Sequence, residues 1–435
     1  MIYDKKFVLN EDLTDEILIG FINRHRELQK RYDVLERMYK SDHDILHEAH
    51  KADYKPDNRL VVNFAKYIVD TFNGYFMGIP VKTTVESESG NNFMQLLTAY
   101  NNLDDNNAEL SKDCDIYGHA FELIFYDENA EIGITTIDPR QAFLIYADTI
   151  TEQVLYGVRY HLDKDKDVVG TISDSHYIRY FRIDGDKVII EDEKLNVFGA
   201  VPIVEYVENE ERQGAFEPVE TLINAYNKSI SEKANDVDYF ADAYMKIIGT
   251  KLKDDDIFKI KRNRIINLSE PLSDNPIIIE FMEKPNADAT QENLIDRLEK
   301  LIFSMSMVAN ITDETFGSAS GIALKYKLQS MSNLANTKER KFVKGFNKRF
   351  QIIANAPLTG LTQDDLIKID YKFTRNVPFN LLEEAETAEK LRDIVSDETI
   401  LTTLSVVDNV GDEVKKIKKQ EQPIVEYDHE RFAQE

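Results

Sequence analysis

Three long stretches of apolar residues at helical spacing constrain the fold of this chain more than any other feature. They cover residues 217–249, 289–309 and about 320–355. At a rise of about 1.5 Å per residue, the first stretch would form a helix of roughly 45–50 Å, which exceeds the core of a small domain. We therefore predict three long helices, each with an apolar seam that needs an equally long partner.

The predicted seams consist of large apolar side chains three or four residues apart. The first seam contains Val219, Ile223, Tyr226, Ile230, Val237, Ala241 and Tyr244. The second contains Leu294, Leu298, Leu301, Met305 and Val308. The third contains Leu324, Leu328, Met331, Ala335, Phe342, Phe346, Phe350 and Ile353. Gly249 suits the end of the first helix, Asp288 or Thr290 suits the start of the second, and Pro357 stops the third.

The first half of the chain carries a different pattern. Short aromatic and β-branched runs predict strands, and polar turns such as Asp184-Gly185-Asp186 divide them. The predicted strands are HAFELIFY (119–126), AFLIYA (142–147), VLYGVRYH (154–161), YIRYFRI (177–183) and VPIVEYV (201–207). Helices are predicted over residues 12–39 and 63–76. Two further strands, RIINL (264–268) and PIIIEF (276–281), are predicted beside the basic stretch KIKRNR (259–264). We therefore expect an α+β module followed by a mostly helical second half.

Charge and cysteine content exclude several classes of protein. The formal net charge of -26 argues against tight, sequence-independent DNA binding, which draws its affinity from Lys and Arg on phosphates. The charge is compatible with a surface that lets a duplex slide past, and equally with solubility alone. The single cysteine, Cys114, excludes internal disulfides and is expected to be a small buried group. No run of about 18 apolar residues predicts a membrane span, and no export signal is recognised.

Five segments, taken in order, resemble the portal proteins of tailed bacteriophages. The resemblance is closest to the family of long, flexible-tailed phages of Gram-positive bacteria. The segments are FNGYFMGIP (72–80), DIYGHAFEL (115–123), NEERQGAFEPV (209–219), ANDVDYFADAYMKIIG (234–249) and FGSASGIALKYKL (316–328). Each segment alone is a weak signal, whereas their shared order over some 250 residues is specific.

The resemblance implies an α+β, mostly helical portal fold with wing, stem, clip and crown. The implied parts are a wing (residues 1–216), two stem helices (217–249 and 289–309), a clip (250–288), a tunnel loop (310–320), a long helix with a wing return (321–380), and a crown with a C-terminal tail (381–435).

The resemblance also implies a function. Portal subunits form a ring, usually of twelve, at the unique capsid vertex through which double-stranded DNA is packaged and ejected without sequence specificity. The expected partners are copies of the same chain, the terminase motor, the head-to-tail connector, and capsid and scaffolding proteins, with no membrane. No cofactor, metal site or catalytic activity is expected. The expected location is the portal vertex of the virion, after assembly in the host cytoplasm.

Two groups of residues are predicted to contact partners. The tunnel loop lacks a strong hydrophobic anchor, and Gly317 and Gly321 allow large dihedral changes, so the loop could follow moving DNA. The predicted DNA-facing residues are Asn310, Thr312, Asp313, Glu314, Thr315, Phe316, Gly317, Ser318, Ser320, Lys325 and Lys327. The predicted clip contacts to partner proteins are Lys259, Lys261, Arg262 and Arg264.

A dense basic stretch on the third predicted helix allows two interpretations. It contains Lys338, Arg340, Lys341, Lys344, Lys348 and Arg349 against the single acid Glu339. One interpretation is DNA contact. The other, which we favour, is pairing with acidic side chains of ring neighbours, because 79 acidic residues need partners.

A different class of function is a metal-dependent nucleic-acid-processing enzyme. Asp236, Asp238 and Asp242 are its candidate Mg²⁺ ligands, and Asp238 and Asp242 would share one helix face. His43, His47 and His50 also have helical spacing, but no HExxH motif accompanies them. Residues 317–321 lack the GK[ST] of a phosphate-binding loop, so no ATPase is indicated.

Overall fold

The structure is a computed structural model, which describes residues 6–7, 12–52, 55–241, 245–248, 278–281, 288–312, 321–357, 359–377, 381–404, 406–407 and 410–421. Its contacts divide the chain into two units. Unit 1 contains residues 1–310 and 330–375, and unit 2 contains residues 311–329 and 376–435.

Unit 1 contains most of the described helices and all of the described strands. Its helices are α1 (Asp15–Tyr39), α2 (Phe64–Met77), α3 (Glu88–Asn101), α4 (Leu103–Tyr117), α5 (Glu220–Ala241), α6 (Asp288–Ser306), most of α7 (Gly321–Ala354) and α8 (Gln363–Ile367). Short 3-10 turns lie at Asp44–His47 and Glu217–Val219. Side-chain caps fix the starts of several helices. Thr14 accepts from the Ile17 amide at the start of α1, and Asn63 accepts from the Lys66 amide at the start of α2.

A six-stranded sheet forms one half of the module. Its strands are β1 (Lys6–Phe7), β5 (Ala142–Ala147), β6 (Val154–Leu162), β7 (Val168–Ser173), β8 (Tyr177–Asp184) and β9 (Lys187–Leu195), and they lie in that order. All neighbours are antiparallel except β1 and β5. Gly185 supplies the positive φ of 58° that the tight β8–β9 turn requires. Helix α1 packs Phe21 and Ile22 against Phe143 and Phe181 on this sheet.

A three-stranded antiparallel sheet forms the other half. Its order is β10 (Ile203–Val207), β3 (His119–Tyr126) and β4 (Ile132–Ile137). Phe121 and Ile203 pack against Leu144 of the larger sheet, so the two sheets share a core. Two-stranded pairs join β2 (Lys82–Thr84) with β13 (Asp370–Lys372), and β11 (Met245–Ile248) with β12 (Ile278–Phe281).

The five strands predicted between residues 119 and 207 are confirmed, with small shifts at their ends. Strands β4, β7 and β9 were not predicted. The first two are short runs interrupted by glycine and hydroxyl residues, and β9 mixes its apolar residues with charges. The predicted strand at 276–281 is confirmed as β12, whereas residues 264–268 lie outside the described residues.

Helix α7 confirms the third predicted seam. It runs for 34 residues, and its buried face includes Met331, Phe342, Phe346 and Ile353. Gly345 lies so close to Tyr206 of β10 that an added Cβ would be 2.4 Å from its ring. This part of the helix therefore belongs to the core of unit 1.

The other two seams need correction. The first helix ends at Ala241, and Met245–Ile248 is a strand paired with Ile278–Phe281 rather than the last turn of a helix. Strand pairing outweighs local helical periodicity in this β-branched segment. Val237, a residue of the predicted seam, is exposed, so the buried part of the α5 seam ends before this residue. On α6 the buried face contains Ile295, Leu298 and Ile302, while the predicted Leu294 and Met305 are exposed.

Unit 2 contains the start of α7 and three further helices. These are α9 (Leu381–Leu391), α10 (Asp397–Thr402) and α11 (Val410–Glu421), the last of which includes most of the basic KKIKKQEQ run. In the described part of the chain, no helix combines the length and apolarity needed to cross a bilayer.

Candidate functional site

Helices α5 and α6, which were predicted as stem helices, form an antiparallel pair. At one end Lys233 of α5 forms an ion pair with Glu292 of α6, and Gln291 donates to Asp236 at 2.9 Å. At the other end the Phe64 ring contacts both Tyr226 and Phe303, with centroids 4.9 Å and 5.6 Å away. The start of α5 therefore lies beside the end of α6. Along the chain, β11 follows α5 and β12 precedes α6.

A ladder of three polar side chains ties α5 to an extended segment that precedes α2. Asn227, Ser231 and Asn235 are buried and lie four residues apart on α5. Their side-chain oxygens accept from the backbone amides of residues 62, 60 and 58, at 2.8, 2.9 and 2.6 Å. Four helical residues advance about 6 Å and two extended residues advance about 6.6 Å, so the two repeats match. The ladder fixes the axial position of α5 in unit 1.

Sequence reasoning missed this ladder, although a signal for it existed. Asn227, Ser231 and Asn235 continue the face of α5 that begins with the buried Val219 and Ile223. A polar side chain at a seam position indicates a buried hydrogen-bond partner, because an unpaired polar group in a core is costly.

The carboxylates proposed as metal ligands have separate partners. Asp236 accepts from Gln291, and Asp238 accepts from the Asn58 amide side chain at 2.5 Å. Asp242 lies outside the described residues. The predicted histidines also diverge, because His47 pairs with Asp42 and His50 with Asp57. Within the described ranges, no three His, Cys, Asp or Glu side chains are grouped so as to hold a metal ion.

The predicted tunnel loop is described only at its start. Asn310 contacts Glu299 of α6 at 3.5 Å, and Thr312 is exposed. Lys325 and Lys327 are exposed on the first turns of α7. The predicted residues outside the described ranges are Asp313, Glu314, Thr315, Phe316, Gly317, Ser318 and Ser320 of the loop, and Lys259, Lys261, Arg262 and Arg264 of the clip.

Two of the basic residues predicted to face DNA or a ring neighbour are instead buried inside unit 1. The Lys338 ammonium lies 2.7 Å from Asp115 of α4 and 2.9 Å from Glu208, beside the rings of Phe72 and Phe76. It also donates to the Ser111 carbonyl at 3.1 Å. The prediction of an external contact is wrong for Lys338, because a fully buried ammonium is stable only beside its counter-ions.

Arg349 is held in the same way. Its guanidinium makes a two-pronged contact with Glu122 of β3, donates to Asn107 at 2.7 Å, and lies over the Phe346 ring. The predicted external contact is wrong for this residue as well. Both residues pair with acidic side chains, but these acids belong to the same chain, so neither the DNA contact nor the pairing with ring neighbours holds for them.

Burial and charge shift the pKa values of Asp115 and Lys338. Burial raises the pKa of Asp115 well above its usual value of 3.8, and attraction to Lys338 offsets only part of that rise. Burial alone would lower the pKa of Lys338, but the nearby Asp115 and Glu208 outweigh it and raise that pKa. Two carboxylates therefore share one ammonium in a dry site. Next to them, Cys114 is buried, as expected, and its burial raises the pKa of the thiol.

The remaining basic residues of α7 are at the surface. Lys341 forms an ion pair with Glu210 of the same chain. Arg340, Lys344 and Lys348 are exposed and lie four residues apart, so they form one row along the helix. Sequence reasoning had treated all six cations alike, whereas burial separates them into two groups.

Known proteins share both sequence and fold with this chain. Residues 20–427 match the family model described as phage portal protein, SPP1 Gp6-like. The chain is 24% identical over 396 residues to a portal protein of Clostridium phage phiCD119, a match that covers 85% of this chain and 86% of that protein. It is 22% identical over 323 residues to the portal protein of Bacillus phage SPP1, covering 69% of this chain and 63% of that protein.

A solved structure shows the same fold at much lower identity. It is a chain in the neck of a native GTA particle, computed with C12 symmetry. The TM-score is 0.50 and the identity 9%, and the match covers 85% of this chain and 92% of that chain.

Proposed function

The chain belongs to the SPP1 Gp6-like family of phage portal proteins, and on that premise we propose that its copies form a ring at one vertex of a phage capsid. Double-stranded DNA would enter and leave the capsid through the centre of this ring. The observation that carries the proposal is the family match over residues 20–427, which spans both units of the chain.

The proposed parts of the ring subunit follow the antiparallel helix pair. Helices α5 and α6 would be the stem, and residues 250–288 between them would be the clip that contacts the packaging motor and later the head-to-tail connector. The two-sheet module with α7 would be the wing, and residues 381–435 the crown. The polar ladder supports this division, because it gives α5 a fixed position against the wing.

We propose that DNA contact is mechanical and independent of sequence. The net charge of -26 suits a channel that does not retain the duplex. The loop at residues 310–320, with Lys325 and Lys327, is the proposed closest approach to DNA. ATP hydrolysis would belong to a separate terminase motor, and this chain would have no catalytic activity of its own.

A loop deletion tests the proposed role in packaging. Phage carrying a deletion of residues 312–317 should assemble portal rings in normal amounts but fail to fill their capsids with DNA. The measurement is the ratio of filled to empty capsids by electron microscopy, with ring assembly checked on the purified protein. A matched control replaces Lys164-Asp165-Lys166, the exposed β6–β7 turn, by Gly-Ser-Gly and should package normally. Normal packaging by the deletion would remove the loop from the mechanism.

A further inference from the structure

Unit 1 contains a cleft of about 970 Å³ between α7 and the two sheets. Strands β5, β6 and β10 form one side, with Leu144, Val201 and Ile203 among the lining residues. Among the described strands, β10 pairs only with β3, so it is an edge strand, and its residues Ile203, Val204 and Val207 line the cleft. An open strand edge presents unpaired backbone groups that accept a further strand.

The α7 side of the cleft is positively charged. Arg340, Lys344 and Lys348 line it, and the described ion pairs of this stretch of α7 involve Lys338, Lys341 and Arg349 rather than these three. Two of the acids in the lining are already neutralised, because Glu205 pairs with Arg212 and Glu210 with Lys341. Glu152 is the third carboxylate of the lining. The cleft therefore favours an acidic, extended segment.

The chain carries such a segment in β9. This strand is nine residues long, lies last in its sheet, and pairs only with β8 among the described strands. Ile189, Ile190 and Leu195 are 45%, 46% and 73% exposed. Three consecutive acids, Glu191, Asp192 and Glu193, lie between them. An apolar edge strand of this length is a liability in an isolated subunit unless another chain covers it.

Charges on the neighbouring strand only partly neutralise these acids. Arg182 contacts one oxygen of Glu191 at 2.8 Å, and Arg179 contacts one oxygen of Glu193 at 2.6 Å. The Asp192 carboxylate lies 3.9 Å from the Lys194 ammonium. All three acids are exposed, so a basic partner surface can reach them.

Strand β9 is tied to its own sheet, because it pairs with β8 from Lys187 to Leu195. Four strand spacings of about 4.8 Å, roughly 19 Å in total, separate it from β5, although the cleft lining also reaches Ser175 and Gly199 near the end of β9. Because it is held by β8, β9 cannot pair with β10 of its own subunit. Two different complementary surfaces on one subunit are what a head-to-tail ring contact requires.

We propose that β9 of one subunit docks beside β10 in the cleft of the next subunit, with the acidic stretch 191–193 facing part of the basic row of Arg340, Lys344 and Lys348. The acidic stretch spans ~6.6 Å and consecutive members of the basic row are ~6 Å apart, so the stretch can meet two neighbouring cations. This contact rests on the proposed ring and identifies the wing surfaces that close it.

Charge reversal with rescue tests the contact. The triple variant Arg340→Glu/Lys344→Glu/Lys348→Glu, called the wall variant, makes the α7 side of the cleft acidic. It then repels the acids of β9, and we expect the association of subunits to weaken by about a hundredfold or more. Adding Glu191→Lys/Asp192→Lys/Glu193→Lys in the same chain should restore rings. Ring content is measured by light scattering and negative-stain microscopy. The matched control Lys164→Glu/Lys166→Glu, in the β6–β7 turn outside the cleft lining, should leave rings intact.

Each outcome separates this contact from the proposed function. Wild-type protein that forms no rings contradicts the proposed function itself. Normal rings from the wall variant overturn the contact, and normal rings combined with weaker binding of a short DNA duplex would assign the cleft to nucleic acid instead. Failure of the rescue, with circular dichroism showing a folded chain, also overturns the contact. If the wall variant does not fold, the β9 variant alone provides the same test from the other surface.

Discussion

Individual buried ions decide much of how α7 packs in this protein. Lys338 and Arg349 lie in the seam between Ala335, Phe342 and Ile353, and both are almost fully buried. Each is matched by carboxylates from α4, β3 or the segment after β10. These ions are therefore structural anchors between α7 and the rest of unit 1, and they are not available to DNA or to a neighbouring subunit.

Removing the Lys338 charge should be far more damaging than removing a surface charge on the same helix. Lys338→Met removes the ammonium that Glu208 and the Asp115 carboxyl share in a buried site, and we expect a loss of about 3–5 kcal/mol in the free energy of unfolding. Lys341→Met, whose partner Glu210 is exposed, should cost less than about 1 kcal/mol. Urea denaturation of both variants checks this. Equal effects would mean that the Lys338 cluster is not buried as described.

The raised pKa of Asp115 predicts a pH dependence of stability. Above about pH 4, the folded chain holds a proton on this carboxyl that the unfolded chain releases, so stability falls as pH rises toward the folded pKa. The loss per pH unit approaches about 1.4 kcal/mol for one proton. Asp115→Asn removes this proton and leaves Lys338 paired with Glu208 alone.

We therefore expect the Asp115→Asn variant to lose less stability than the wild type between about pH 5 and pH 7. Urea midpoints at several pH values measure the slope. Asp165→Asn, in the exposed β6–β7 turn, is the control and should keep the wild-type slope. An unchanged slope in the Asp115 variant would show that this carboxyl does not hold the proton.

At the scale of elements, the polar ladder on α5 is the link between the proposed stem and the wing. Three hydrogen bonds join consecutive turns of α5 to alternate residues of an extended segment. Sliding α5 along its axis would break all three bonds together. The ladder therefore makes α5 and the extended segment move as one body.

A serine pair on α5 tests the ladder. Ser231→Ala leaves the Leu60 amide without its acceptor, and we expect a loss of about 1–3 kcal/mol in the free energy of unfolding. The Ser229 hydroxyl, two residues away, donates to the Ala225 carbonyl of the same helix in an exposed hydrogen bond, so Ser229→Ala should change stability by less than about 0.5 kcal/mol. Faster hydrogen exchange at the Leu60 amide would localise the effect. Equal costs for the two variants would contradict the ladder.

Sequence reasoning was most successful where one local pattern and the final packing agree. Helix α7 keeps its apolar periodicity over its whole length, and the alternating strands β3 and β5 lie where their runs predict. It failed where a distant partner decides. The segment MKII continues a helical pattern, but pairing with β12 makes it a strand. Lys338 and Arg349 look like surface charges until their acidic partners, more than 100 positions away, are known.

The candidate site was predictable in outline only. The antiparallel pair of α5 and α6 follows from two seams separated by an insert, whereas the seam of α6 was drawn on a neighbouring face because Leu294 and Ile295 offer equally apolar stripes. The predicted roles of the tunnel loop and the basic clip stay predictions. The loop deletion tests the first of these roles.

At the scale of the whole molecule, the proposed ring subunit has three features. Its proposed wing carries two complementary surfaces, its proposed stem is a helix pair fixed by hydrogen bonds, and its acidic charge suits a channel through which DNA would move. Subunits joined head to tail through two different surfaces close only if the rotation per subunit is a whole fraction of a turn; otherwise they form open filaments. Closure around a channel is therefore the property on which the proposed function depends.

Electron microscopy of the purified full-length protein measures closure directly. The proposed function predicts closed rings with rotational symmetry and a central channel wide enough for a double helix. A chain that remains monomeric, or that forms only open filaments, at every protein and salt concentration tried would contradict it.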